Sequence, residues 1–168
     1  MQALYRIIEE QAIKLDYSNL RQFGGILGLF VVHPRIGPFI LLDDSLIKQP
    51  RKHRCVLAEE IGHAMHPPRP GHMRFHRRRY DVADNQAIIV AQDERKALLW
   101  ATGFLMPDVE FWRAVSQGYD TVPDLAEYFY VEEWFVRTKI GFIDTQAHFF
   151  SRDAYRSGIS GSMTASRF

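Results

Sequence analysis

Near the N-terminus, apolar residues fall at Leu4, Ile7, Ile8 and Leu15, with Arg6, Glu9, Glu10 and Lys14 between them. That spacing predicts an amphipathic helix with its dry face on a core. Gly24, Gly25 and Gly28 then interrupt the pattern, and two β-forming runs follow, Leu29 to Val32 and Phe39 to Leu42. The segment between them, His33-Pro34-Arg35-Ile36-Gly37-Pro38, is rich in turn residues, so the pair predicts a β-hairpin. From Arg51 to His66 no proline intervenes, Val56, Leu57, Ala58 and Ile61 supply an apolar side, and Pro67-Pro68 end the element. This predicts a helix. Asp93 to Met106 predicts another, closed by Pro107, with Ala97, Trp100, Ala101, Phe104 and Leu105 on its buried side. Shorter helices, broken near Gly118, Pro123 and Val131, carry the chain to about Gly141, and a small polar tail, poorly ordered after Ser157, ends it.

Composition narrows the class of protein. The 168 residues are 46% hydrophobic, enough to bury one core of ordinary size. With 21 basic against 20 acidic residues the net charge is +1, which argues against a surface built throughout to coat nucleic acid or an anionic membrane. The single cysteine, Cys55, excludes an internal disulfide and a four-cysteine zinc site. The first residues lack the apolar run of a signal peptide, and no segment approaches the roughly 20 apolar residues of a membrane span. A cytoplasmic location is the expectation.

Chemistry concentrates in the segment RCVLAEEIGHAMH, which holds Glu59, Glu60 and His63. Glu59 and His63 are four apart, so on a helix they stand one turn above the other and can address a common centre. Glu60 lies beside them, about 100° around the axis. This is the logic of the H-E-x-x-H helix of zinc peptidases with the first histidine replaced by glutamate, itself an ordinary zinc ligand. The bland alternative is a solvated helix face whose acids and histidine merely touch each other along the surface. His53 and His66 are nearby candidates to flank the centre, His66 being the substitute if Glu59 faces away. Cys55, eight residues before His63, reads as a small buried packing residue.

The surrounding residues decide between these alternatives. RCVLAEEIGHAMH resembles the active-site helix of the ImmA/IrrE family of bacterial and phage-related zinc metallopeptidases, in the Gram-positive and phage-related branch that writes E-E-x-G-H where others write H-E-x-G-H. ERKALLWATGFLMP, from Glu94 to Pro107, resembles the family's second motif, whose leading glutamate is a metal ligand. LAEYFYVEEWFVRTKIG, from Leu125 to Gly141, resembles its C-terminal segment. The resemblance covers residues 1–143. It implies an α+β fold: a mainly helical, zincin-like metallopeptidase core over residues 1–107 with a small N-terminal β-hairpin or sheet, a C-terminal helical, helix-turn-helix-like segment over 108–143, and a partly disordered tail over 144–168.

The resemblance further implies that Glu59, His63 and Glu94 hold the metal and that Glu60 is the general base of an endopeptidase acting through metal-activated water. The ion expected is Zn²⁺, with Mn²⁺ or Fe²⁺ as options because two glutamates and one histidine form a hard, anionic donor set. Two ligand carboxylates offset the charge of a divalent ion and acidify its water less than neutral ligands would, which predicts a slow or selective enzyme. The implied partner is a specific protein substrate such as a helix-turn-helix repressor of a mobile element or phage. A catalytically silent regulatory or DNA-associated module on the same fold is the competing reading.

Two further features bear on partners. Arg74, Arg77, Arg78 and Arg79, with Arg69, His72 and His76, make a basic loop between the two motif helices, which reads as a solvated loop or as a contact for substrate or nucleic acid. Val122 to Gly141 has the outline of a helix-turn-helix, but its second helix opens on Glu132 and Glu133 and offers only Arg137 and Lys139 later. Acids at that position repel phosphate, so the expected role is packing on the core rather than reading DNA.

Overall fold

The computed structural model describes residues 1–68 and 84–156. Helix α1 spans Gln2–Glu10 and buries Leu4 and Ile8, two residues four apart on one face. It stops short of Leu15. Ala12 adopts a left-handed backbone (φ 49°), and Lys14–Ser18 form strand β1. The helix expected to reach Leu15 is thereby corrected: in β1 it is Leu15 and Tyr17 that are half-buried while Lys14, Asp16 and Ser18 are exposed. Leu15 satisfies either period, and pairing with a neighbouring strand decides for the extended one.

The predicted hairpin is present as β2, Gly28–His33, and β3, Gly37–Asp43, antiparallel with His33 opposite Gly37. Strand β1 joins the other side of β3 in parallel, Leu15 opposite Ile40, giving a mixed sheet of order β1-β3-β2. The central strand is accordingly the driest, with Ile40 and Leu42 fully buried. Helix α2, Pro50–Met65, lies on this sheet; its leading proline sits where no intrahelical donor is lost, and the chain leaves the helix just before Pro67 as expected.

Helix α3, Asp84–Leu105, begins nine residues before the expected Asp93, because Asn85 to Gln92 contains neither glycine nor proline to stop it. Then come α4, Asp108–Ser116, α5, Val122–Phe129, and α6, Glu133–Arg156. The breaks fall near Gly118 and Val131 as read from sequence. The last helix runs through Gly141 and past residue 143, where the tail was expected to begin. One internal glycine costs a helix only about 1 kcal/mol, and buried Phe142 beside it offsets that. The rest of the expected tail, residues 157–168, lies outside the described residues. Among the described residues no helix is long and apolar enough to cross a membrane.

One apolar core joins all these elements: Leu4 and Ile8 of α1, the inward residues of β2 and β3, Leu57 and Ile61 of α2, Ala101 and Leu105 of α3, and Phe135 and Val136 of α6. The junction of α5 and α6 is bonded to α2. Arg54 donates to the carbonyls of Phe129 and Tyr130 at the end of α5, and Arg51 pairs with Glu127. The Cys55 thiol accepts the Glu132 N–H at 3.3 Å, and burial pushes that thiol up to about 12. Cys55 is thus a packing residue, and the helix-turn-helix-like unit is held to α2 by both polar and apolar contacts.

Asp43, fully buried at the end of β3, ties the sheet to the chain before it. Its carboxylate accepts the backbone N–H groups of Leu20 and Arg21 at 3.0 Å and of Ser45 at 3.1 Å, and the Ser45 hydroxyl. Burial raises its pKa, but the hydrogen bonds from the Ser45 hydroxyl and the three backbone donors outweigh it and hold the group below the ordinary carboxylate range. A carboxylate depressed on folding stabilises the protein fully above its unfolded pKa of about 3.9, and that stabilisation is lost as pH falls through the folded value. Asp43→Ala, which strands three backbone donors, one of them buried, is expected to lower stability by about 2–4 kcal/mol at neutral pH and to lose less additional stability than the wild type below about pH 4. Urea unfolding across that pH range measures both.

Candidate functional site

The residues singled out on α2 are not on a wet face. Glu59, Glu60 and His63 are 6%, 1% and 2% exposed, which excludes the solvated-helix reading of that segment. Carboxylates are rarely buried without a partner, so two of them and an imidazole buried in one stretch mark a polar centre inside the fold.

Two close approaches position them. The first is between α2 and α3: a β-carbon built on Gly62 would lie 2.4 Å from the backbone oxygen of Ala97. Glu59, Gly62 and His63 share one stripe of α2 by their spacing of three and four, and this stripe faces the stripe of α3 that carries Glu94, Ala97 and Ala101. With the backbones in contact at Gly62, His63 and Glu94 meet across the interface, imidazole Nε2 to carboxylate Oε2 at 3.3 Å. The second approach is between α2 and the start of β2. A β-carbon on Gly28 would lie 2.5 Å from Glu60 Oε1 and 2.8 Å from both Glu60 Cγ and Val56 Cγ1. The missing side chain of Gly28 is the space in which the Glu60 carboxylate sits.

The His63–Glu94 pair has the chemistry and separation of two ligands of one ion. Donors each about 2.1 Å from a tetrahedral metal are about 3.4 Å apart, close to the distance found. Glu59 lies on the same stripe one turn before His63, buried, yet among the described residues no three histidine, cysteine, aspartate or glutamate side chains are arranged to hold a metal ion. The structure therefore brings His63 and Glu94 together and places Glu59 on the same face of α2, buried one turn before His63. Asp93, next to Glu94, is also buried, with Lys96 Nζ 4.0 Å from its carboxylate.

The other candidates resolve differently. His53 is buried at the opposite end of α2, where its Nε2 is hydrogen-bonded to the Tyr17 hydroxyl of β1 at 3.0 Å; burial pulls its pKa down and favours the neutral ring. Burial, with a hydrogen bond to Tyr5, pushes the Tyr17 hydroxyl above its ordinary range. His53 is thus a structural residue. His66 is exposed at the end of α2. Arg74, Arg77, Arg78 and Arg79, with His72 and His76, lie outside the described residues. Sequence reasoning missed Gly28 and Gly62; the signal for Gly62 was in plain view, a glycine inside a helix between two chemically important residues, where alanine would ordinarily be better.

A family model described as the IrrE N-terminal-like domain of a peptidase family matches residues 8–140. No curated protein and no solved structure gives a significant match.

Gly62→Ala and Gly103→Ala make opposite predictions. In an open helix position such as Gly103, where an added β-carbon meets nothing within 4 Å, the substitution is expected to stabilise by up to about 1 kcal/mol. At Gly62 the added carbon meets backbone and the expected result is a loss of about 2 kcal/mol, read in urea unfolding of the two variants.

Proposed function

Because the chain belongs to the peptidase family described as the IrrE N-terminal-like domain, we propose that it is a metal-dependent endopeptidase whose centre is built from Glu59, Glu60, His63 and Glu94. The observation that carries this reading is the approach of buried His63 to partly exposed Glu94 at 3.3 Å, made by side chains of two different helices. Metallopeptidase function implies a divalent ion, typically zinc; in this reading His63 and Glu94 hold it and Glu59 is the remaining ligand, with Mn²⁺ or Fe²⁺ accommodated by the same hard donors. A bound ion supplies Lewis-acid chemistry, polarising a carbonyl and lowering the pKa of water.

The protein's own groups supply the rest. Glu60 neighbours the ligands on α2 and is braced by the backbone of β2 at Gly28, so its carboxylate has little freedom to swing away. In the proposed reaction it accepts a proton from the attacking water and returns it to the leaving amine, a general-base role that needs a fixed carboxylate near the reacting atoms. The imidazole of His63 acts as a ligand in its neutral form. The substrate in this reading is a specific protein partner, with a helix-turn-helix repressor the proposed example.

Metal analysis of the purified protein and two variants tests the assignment. The wild type and Glu60→Gln are expected to carry about one equivalent of metal, Glu94→Ala to lose it, and Glu60→Gln to lose cleavage of the partner by a factor of at least about 10². Metal retained by Glu94→Ala removes that residue as a ligand, and full activity in Glu60→Gln removes Glu60 as the base.

A further inference from the structure

Among the described residues the sheet has the order β1-β3-β2, which leaves β2 on an edge. The Asp43 N–H donates to the Leu27 carbonyl at 2.9 Å, and this bond fixes which residues of β2 face β3. Bonded and non-bonded pairs alternate along an antiparallel ladder. Leu29, Val31 and His33 are therefore the residues bonded to β3, and Gly28, Phe30 and Val32 turn their N–H and carbonyl groups to the outer side. Pro38, which has no N–H to give, stands opposite Val32, at one of the non-bonded places.

Two features mark this edge as one kept for a partner. Edge strands are ordinarily protected by charged residues, prolines or bulges. The other edge strand, β1, carries exposed Lys14 and Asp16. Strand β2, Gly-Leu-Phe-Val-Val-His, holds no acid, lysine, arginine or proline, and its register with β3 runs without a bulge. The second feature is where the edge leads. It begins at Gly28, against Glu60, and reaches Val32 four residues on, about 13 Å away at the rise of a strand. The side chains at 28, 30 and 32 share one face. On that face the space at Gly28 is taken by Glu60, Phe30 is buried in the core, and Val32 is 61% exposed. An exposed β-branched side chain beside outward-facing backbone groups is one half of a cross-strand pair.

We propose that the peptide substrate adds to β2 as an antiparallel strand and that Val32 selects an apolar side chain in it, four residues N-terminal to the residue opposite Gly28. An antiparallel strand meets Val32 first and Gly28 last, so the selected residue lies upstream of the bond presented to Glu60. Backbone bonds to Gly28, Phe30 and Val32 give affinity for any extended segment, and the Val32 contact gives choice among them. For the fate of the bound peptide the inference rests on the peptidase reading; for its binding it rests on β2 alone.

Binding and cleavage are measured separately. The binding probes are labelled ten-residue peptides of alternating threonine and alanine, with or without one alanine replaced by isoleucine, titrated by fluorescence anisotropy into full-length Glu60→Gln protein. The isoleucine peptide is expected to bind up to about fivefold more tightly, the addition of Val32→Ala to reduce that preference below about twofold, and the addition of Val109→Ala, an exposed position of α4, to leave it unchanged. N-methylation of alternate peptide amides is expected to abolish binding in one frame and spare it in the other, and hydrogen exchange at Phe30 and Val32 is expected to slow when the peptide binds. Equal binding in both N-methylated frames, no binding, or a preference that Val32→Ala leaves intact would overturn the proposal. Exchange slowed at the same amides in concentrated protein without peptide assigns the edge to a second copy and overturns it as well. For cleavage, the zinc-loaded wild type is given the isoleucine peptide and the products are weighed by mass spectrometry; the cut is expected at a fixed distance C-terminal to the isoleucine. Peptide bound in this manner but left whole overturns the peptidase reading and not the docking edge, whereas cleavage that ignores the isoleucine overturns this inference alone.

Discussion

The contact between Gly62 of α2 and the backbone of Ala97 of α3 governs the arrangement of everything polar inside this protein. Two helices ordinarily stay about 8–10 Å apart because side chains stand between them. Here a glycine on one helix faces an alanine on the other, and a β-carbon at Gly62 would sit 2.4 Å from the Ala97 oxygen. The stripe of α2 that contains Gly62 also contains Glu59 and His63, and the facing stripe of α3 begins at Glu94. Bringing the backbones together is what lets an imidazole and a carboxylate from different helices reach 3.3 Å. A wider spacing would take the carboxylate away from the buried imidazole.

The sheet does for Glu60 what α3 does for His63. Strand β2 begins at Gly28, and the space left by its absent side chain holds the Glu60 carboxylate. The same helix thus carries, three residues apart and on one side, a glutamate braced by the sheet and a histidine met by α3. Asp43 then ties the end of the central strand to the segment around Leu20 and Arg21, so the sheet that braces Glu60 is anchored by buried hydrogen bonds as well as by apolar contact. On the far side, Arg51, Arg54 and Cys55 fasten the start of α2 to the junction of α5 and α6.

Much of this was legible in the sequence. The hairpin, the proline-stopped helix α2 and the helix ending at Pro107 each follow from punctuation that acts locally, and the motif residues fell on the elements expected of them. What escaped was set by contacts distant in sequence. Leu15 fits a helical stripe as well as an alternating strand, and only Ile40 opposite it decides. Gly141 reads as a stop, yet buried Phe142 and the length of apolar face around it carry α6 onward. The importance of Gly28 and Gly62 lies in what their missing side chains allow another element to do, which no local pattern expresses.

The central claim is that α2 and α3 together build a metal site with His63 and Glu94 as two of its ligands. Its most direct test is a crystal structure of the zinc-loaded protein with anomalous data collected on either side of the zinc edge. The account predicts a single strong anomalous peak about 2.0–2.2 Å from both His63 Nε2 and a Glu94 carboxylate oxygen, with Glu59 turned towards it. A peak bound elsewhere, or a fully loaded crystal with none between these two residues, would contradict it.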